Sequence, residues 1–473
     1  MNKMTGSKQV WILISIFILS RIIVMALGLH LNIWALYSYW QYLDVVTLKQ
    51  HLLTGIWYDH AQPPVFNLLL GIILKISGNY AVFVFDFLFK IISLVNILLL
   101  FSIIRKLTVV PLLPFLMACI YMLSPATLIF ECELFYTSFI SMLLLLSVTY
   151  MIRFSETGNW KNAAGILFPL VLLCLTRSVY HIVWLFISLA ALLFSYLKKE
   201  AFYKLLLISI LGLVFVGGWY AKNKIIFGKL TLSTWIGMNI ARNVFHDNEV
   251  NDSTRIEAYV PFSSIHNYYK FIDLKYQQKF AGLNDRDLLS EMKNDSFINE
   301  REVSYIPVSD LYMKVSMDFI RSHPTAYAKN VLQSFILYFT PATMYSLAIQ
   351  QSDKIKYYDL IYSFNLTHFA KGKQQRRILL TISAIPKLIF YFIVFYFMIS
   401  YCIHNRSIPS WNLFIMLTIF FVFGISSFFE HYENMRFRYE TEPLFFILAA
   451  QVISRLYSRF QIRRNPPIKS LIA

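Results

Sequence analysis

Apolar and polar positions fall into long blocks along this chain, not into the short alternation of a soluble fold. A hydrocarbon layer of about 30 Å is crossed by roughly 20 helical residues. Runs of about that length are predicted at 10–31, 80–104, 109–129, 135–152, 379–403 and 411–429, with shorter ones at 163–176, 181–196, 205–220 and 443–453. The run at 65–76 is too short to cross and that at 327–349 is interrupted by Pro341, so both read as interfacial. Lys3 and Lys8, Arg105 and Lys106, Arg153, Lys198, Lys199 and Lys204, His404 to Arg406 and the basic C-terminus (Arg455, Arg459, Arg463, Arg464, Lys469) all fall on one side of this threading. Positive charge marks the cytoplasmic side. The first run contains Arg21 and lacks a small-residue cleavage pattern, which reads as a retained span and not as a removed signal peptide. The expected fold is an all-α polytopic membrane protein of about ten transmembrane helices. Its expected parts are an N-terminal transmembrane module (1–220) with a first external loop (32–78), a non-cytoplasmic loop region with interfacial helices (221–378), and a C-terminal transmembrane module (379–473). No inverted repeat of the kind many secondary transporters carry is visible.

Composition agrees. The 473 residues are 57% hydrophobic and 15% charged, where soluble domains carry about 25% charged residues. The net charge of +17 does not point to nucleic acid, because the basic residues are scattered and flank apolar runs. Half of the 26 acidic residues, 13, lie within 247–318, which reads as a folded or partly folded outer region and not as a separate large domain. Cys119, Cys132, Cys174 and Cys402 have no metal-ligand spacing and read as small core residues. Asp86 and Lys90, four apart on one helical face, read as a structural ion pair.

The densest polar stretch at a membrane face is 40–67. A lone carboxylate, Asp44, sits on a short amphipathic run, and Tyr58, Asp59, His60 and Gln62 precede Pro63 and Pro64. Proline is tolerated in the first helical turn, so the pair fixes where helix 65–76 begins and holds the polar cluster at its positive end, where an anion is favoured. Capping in water is the simpler alternative. On the same side fall Glu131 and Glu133, Arg177, and Arg436 and Arg438 before the last run.

Read together, these pieces resemble the GT-C superfamily of membrane glycosyltransferases, nearest to the family 39 (dolichyl-phosphate-mannose-protein mannosyltransferase-like) and RgtA/B/C/D-like groups. The matching pieces are the aspartate of the first external loop, H-x-x-P-P at His60 to Pro64, E-C-E-L-F-Y-T-S-F from Glu131, G-W-Y-A-K-N-K from Gly218, and R-F-R-Y-E-T-E-P from Arg436. Two departures stand out: Ala61 and Gln62 separate His60 from the prolines, and Lys222 occupies an arginine position.

The resemblance implies transfer of a monosaccharide from a polyprenyl-phosphate donor to a glycan, lipid or protein acceptor at the periplasmic face of a bacterial inner membrane. Phosphate is already a good leaving group, so such an enzyme needs one base and fixed positive charge, not the acid–base pair of a glycosidase. The resemblance assigns the base to Asp44. Tyr58, His60, Gln62 and Lys222 are expected in the pocket, and Glu131 or Glu133 against sugar, acceptor or a divalent metal, the one cofactor left open. Arg177, Arg436 and Arg438 are candidates for the lipid phosphate, or for pairing with Glu430, Glu433 or Glu440. A carrier or flippase for a lipid-linked sugar is the alternative, although ionisable groups deep in the spans are few (Arg21, Asp86, Lys90). A silent scaffold of the cell envelope is a further rival.

Overall fold

The pairing of backbone groups is almost entirely helical, as a lipid-facing chain requires. The computed structural model describes residues 6–197, 200–245, 252–273, 275–283, 286–293, 296–405 and 408–464. Lys3, Lys198, Lys199, Asp247, Arg406 and Lys469, named above for their charge, lie outside them. Among the described residues, the only strands are a two-residue hairpin, Met292–Lys293 with Phe297–Ile298, in the outer region.

Six described segments are long and apolar enough to cross a membrane: Gly6–Ala26, Pro64–Leu107, Thr137–Thr157, Ala201–Phe227, Lys373–Asn405 and Ser410–Phe429. Leu113–Leu123, Trp160–Thr176 and Ile182–Phe194 are shorter apolar helices. The protein is therefore an all-α membrane protein by length and composition. Pro64–Leu107 is itself divided, into Pro64–Ser77 and Ala81–Leu107 around a short 3-10 turn.

One expected span differs. The run at 109–129 is broken, because Ser124, preceding Pro125, takes extended geometry (ψ 130°) and starts a new short helix, Pro125–Phe130. In the stretch 327–349, expected to be interfacial, the Pro324–Phe339 helix is not among the candidate spans and packs against Lys373–Asn405, Ser410–Phe429 and Asn434–Arg464. It does so through Phe335, Tyr338 and Phe339, which gather around Phe423 and Tyr391.

The last helix, Asn434–Arg464, is the axis of the assembly. It touches Ala81–Leu107, Thr137–Thr157, Pro324–Phe339, Lys373–Asn405 and Ser410–Phe429, and buries Arg436, Arg438 and Glu440 in its first two turns. Asp86 and Lys90 pair within their helix as expected, and buried Arg21 pairs with Glu131 across the bundle.

The outer region has its own small core, built where helix Ile236–Phe245 lies on Tyr305–Ser322. Their approach is close enough that a Cβ at Gly237 would run into the Ser309 carbonyl. Trp235, Phe262, Tyr268 and Tyr312 fill the space around them.

Candidate functional site

Asp44 starts the short helix Val45–Gln50. It is buried, and its carboxylate accepts the Val46 N–H at 2.7 Å, which makes it the helix N-cap. The strand of loop before it is pinned from outside: Lys293 Nζ donates to the carbonyls of Tyr39 (3.1 Å) and Tyr42 (2.8 Å).

Asp59 organises the second half of the loop. One carboxylate oxygen accepts the Ala61 and Gln62 N–H groups at 3.0 and 3.1 Å, closing the turn before the prolines. The other pairs with Arg301 of the outer region at 2.5 Å, with both side chains buried. Arg301 also donates to the Gln41 carbonyl (2.8 Å), and Lys222 Nζ to the Asp59 carbonyl (2.7 Å). His60 lies between the Thr234 hydroxyl (2.7 Å) and the Arg301 carbonyl (2.9 Å), and burial lowers its pKa to about 4. The carbonyl can only accept, so Nε2 carries the proton and Nδ1 accepts from Thr234. Tyr58 packs beside Phe227 and Phe280. Expected in the pocket, Tyr58, His60 and Lys222 instead form a buttress behind it.

What they support is a polar hollow walled by Trp40, Gln41, Gln62, Tyr136, Arg177, Trp235, Asn239, Arg242, Glu430, Glu433, Arg436 and Phe437, among others. It is narrow, with about 20 Å³ of free volume, space for about one water molecule. Three guanidinium groups face it. Arg436 is bound by Glu433, lies 4.5 Å over the Phe135 ring and donates to the Tyr136 hydroxyl at 3.3 Å, which in turn donates to Gln41 Oε1 at 2.6 Å. Arg177 lies against Glu440 and 3.7 Å over the Phe437 ring, yet neither terminal nitrogen makes a hydrogen bond of good geometry. Arg242 reaches Glu433 at 3.4 Å and Glu430 at 3.5 Å, and donates to the His431 carbonyl at 3.2 Å.

The two acids face the same arginine because Tyr432 between them takes a left-handed conformation (φ 67°), a strained geometry for a residue with a side chain. Burial, reinforced by Glu433, lifts Glu430 above the usual carboxylate range. Burial pushes Glu433 the same way, but Arg436, Arg242 and Arg177 outweigh it and hold Glu433 below that range.

Two larger cavities share walls with the hollow. A largely apolar groove of about 320 Å³ shares Ser178, Val179, Asn239 and Glu430 with it and continues along Val183, Ile236, Phe421, Ile425 and Phe429. Val183 and Ile236 are about half exposed on the bundle surface, at 49% and 47%. A second cavity, about 300 Å³, shares Trp40, Arg242 and Glu433 and runs past Tyr39, Tyr345 and Arg376. A larger cavity, about 730 Å³, is a separate aromatic-lined space between the Pro324–Phe339, Lys373–Asn405 and Ser410–Phe429 helices.

Of the residues singled out from sequence, Gln62, Arg177 and Arg436 line the hollow. The pairing alternative for the arginines holds as well, as Arg177 with Glu440 and Arg436 with Glu433. Asp44 is not among the lining residues; it lies three positions beyond Gln41, which is. Glu131 is taken by Arg21 and Ser93. Glu133 receives only the Asn32 amide at 3.2 Å, and burial pushes its pKa up to about 8. Arg438 pairs with Glu442 at 2.9 Å. Among the described residues no three His, Cys, Asp or Glu side chains are grouped so as to hold a metal ion. Arg242, in the amphipathic helix Ile236–Phe245, was not singled out; its only signal is that it is the one charged residue of that helix.

Comparison of the chain with protein-family models, curated proteins and solved structures gives no match. What the hollow does rests on its own chemistry.

Proposed function

We propose that this protein is an integral membrane glycosyltransferase that takes a sugar from a polyprenyl-phosphate donor on the non-cytoplasmic face. The observation that carries the reading is the junction of an apolar groove with a narrow hollow faced by three arginines. An isoprenoid tail suits the first, and a phosphate suits the second, since guanidinium offers paired donors to phosphate oxygens. The second cavity gives an acceptor a way to the same point. The walls of the hollow other than Tyr136, at one end of the 135–152 run, come from connections that positive-charge bookkeeping assigns to the non-cytoplasmic side.

In this reading an acceptor hydroxyl attacks the anomeric carbon. The new C–O bond forms as the bond to the phosphate oxygen breaks, and the electron pair leaves with the phosphate, whose charge the arginines meet. The hydroxyl proton needs a carboxylate, and Asp44 is our candidate on the family resemblance alone, since its carboxylate caps the Val45–Gln50 helix three positions beyond the wall residue Gln41.

Asp44→Asn is the deciding variant, because asparagine caps a helix about as well as aspartate does but cannot accept the proton. In proteoliposomes loaded with a labelled polyprenyl-phosphate sugar and an envelope glycan extract, the variant should keep its melting temperature and lose transfer by at least about 100-fold. Wild-type rates in Asp44→Asn would remove the base assignment. Movement of labelled lipid between leaflets, with no new glycosidic bond, would favour a carrier.

A further inference from the structure

The three carboxylates around the hollow are not held equally. Glu433 is bound by Arg436 and approached by Arg242, and Glu440 lies in close contact with Arg177, although neither of its oxygens makes a hydrogen bond of good geometry, so distance to the arginine is what separates it from Glu430. Glu430 Oε2 has only Arg242 at 3.5 Å, too long for a hydrogen bond, and makes none. The backbone beneath it is fixed: the Glu430 carbonyl accepts from Ser334 at 3.0 Å and Asn434 at 3.3 Å, so a change at this residue falls on the side chain. Glu430 is also the carboxylate that borders both the apolar groove and the hollow.

The charges nearly cancel. Arg177, Arg242 and Arg436 stand against Glu430, Glu433 and Glu440, and the free space holds about one water. An entering phosphodiester must either bury an uncompensated negative charge, which is costly, or take a guanidinium from a carboxylate. The weakest grip is that of Glu430 on Arg242.

We propose that Glu430 is a positioning residue for the lipid phosphate: ionised, it keeps Arg242 engaged, and on taking up a proton it releases Arg242 to the phosphate, so that anion binding brings one proton into the site. This rests on the reading of the hollow as a lipid-phosphate site. The groups facing Glu430 are Arg242 from the Ile236–Phe245 helix, Glu433 and Arg436 at the start of the last helix, Arg177 from the connection after Thr176, His431 beside it and His181 across the groove. Because the three arginines and three glutamates otherwise balance, the neutral form of Glu430 leaves one unmatched positive charge, which equals the single charge of a phosphodiester.

The test uses full-length protein in lipid nanodiscs and a polyprenyl methyl phosphate, whose phosphodiester keeps one charge from pH 6 to 8.5, with the matching polyprenol as an uncharged control. Wild-type affinity should weaken with pH, approaching about tenfold per unit on the alkaline side. Glu430→Gln should bind at pH 8.5 as tightly as wild type at pH 6 and lose the slope, and Glu430→Asp should restore it. A wild-type slope that survives in Glu430→Gln assigns the proton to His181 or His431 and overturns the proposal, as does pH-independent wild-type binding that Arg177→Gln abolishes. In both cases the hollow stands as an anion site. Binding no better than the polyprenol control at any pH overturns the reading of the hollow itself. Should Glu430→Gln fail to fold, the wild-type slope and Glu430→Asp decide: no slope in either overturns the proposal.

Discussion

His60 is held as a neutral imidazole in one tautomer by a hydroxyl on one side and a carbonyl on the other. Its folded pKa, about 4, is below the ordinary 6.5, so between those values the unfolded chain binds a proton that the folded chain refuses. Stability from this residue is present above about pH 6.5 and is lost as pH falls towards 4, by roughly 3 kcal/mol at the acid end. Thermal melts of the detergent-solubilised protein from pH 7 to 4 should show the loss, and His60→Gln should flatten that part of the profile. The H-x-x-P-P spacing made His60 visible in the sequence, but its duty could not be read there. Thr234 and Arg301 are 174 and 241 positions away, and a residue's environment is set by partners that local pattern does not encode. Asp44 is similar: its place on a short amphipathic run was legible, its burial and its position as the N-cap of Val45–Gln50 were not.

Helical segments were the most legible level, because a block of apolar residues with charged ends has few other ways to fold in lipid. What the pattern missed was set by single residues or by packing. Pro125 breaks the third run, and Phe335, Tyr338 and Phe339 draw an expected interfacial segment against its neighbours. The central Asn434–Arg464 helix was seen only as an eleven-residue run, at 443–453, because its first turns carry Arg436, Arg438 and Glu440, whose burial depends on partners from other segments. Arg21 and Glu131 join the first helix to the connection after Pro125–Phe130, with Arg21 Nε at 2.8 Å from Oε2. Removing one partner of a buried pair leaves the other charge unmatched, at about 3–5 kcal/mol. Glu131→Gln should lower the melting temperature markedly, and replacing both residues with methionine should recover most of it. Equal loss in the single and double variants would show that packing, not charge, joins these elements.

At the scale of the molecule, the outer region is fastened to the first loop by two cations, Arg301 on Asp59 and Lys293 on the carbonyls of Tyr39 and Tyr42. Arg301→Ala should cost about 3–5 kcal/mol and, by hydrogen exchange, deprotect 39–44, 59–62 and the outer helices before the bundle. Protection lost uniformly across the chain would contradict this separation. Positive charge offers an assignment of the polar connections to one side of the membrane; which of their residues share one space could not be read, since the hollow draws on seven stretches between Trp40 and Phe437. The narrowness of that hollow has a consequence for fidelity. Water, at about 55 molar, is the rival of any sugar hydroxyl. Under the proposed function, a donor seated where there is room for scarcely one molecule of it would be spared idle hydrolysis until its acceptor arrives.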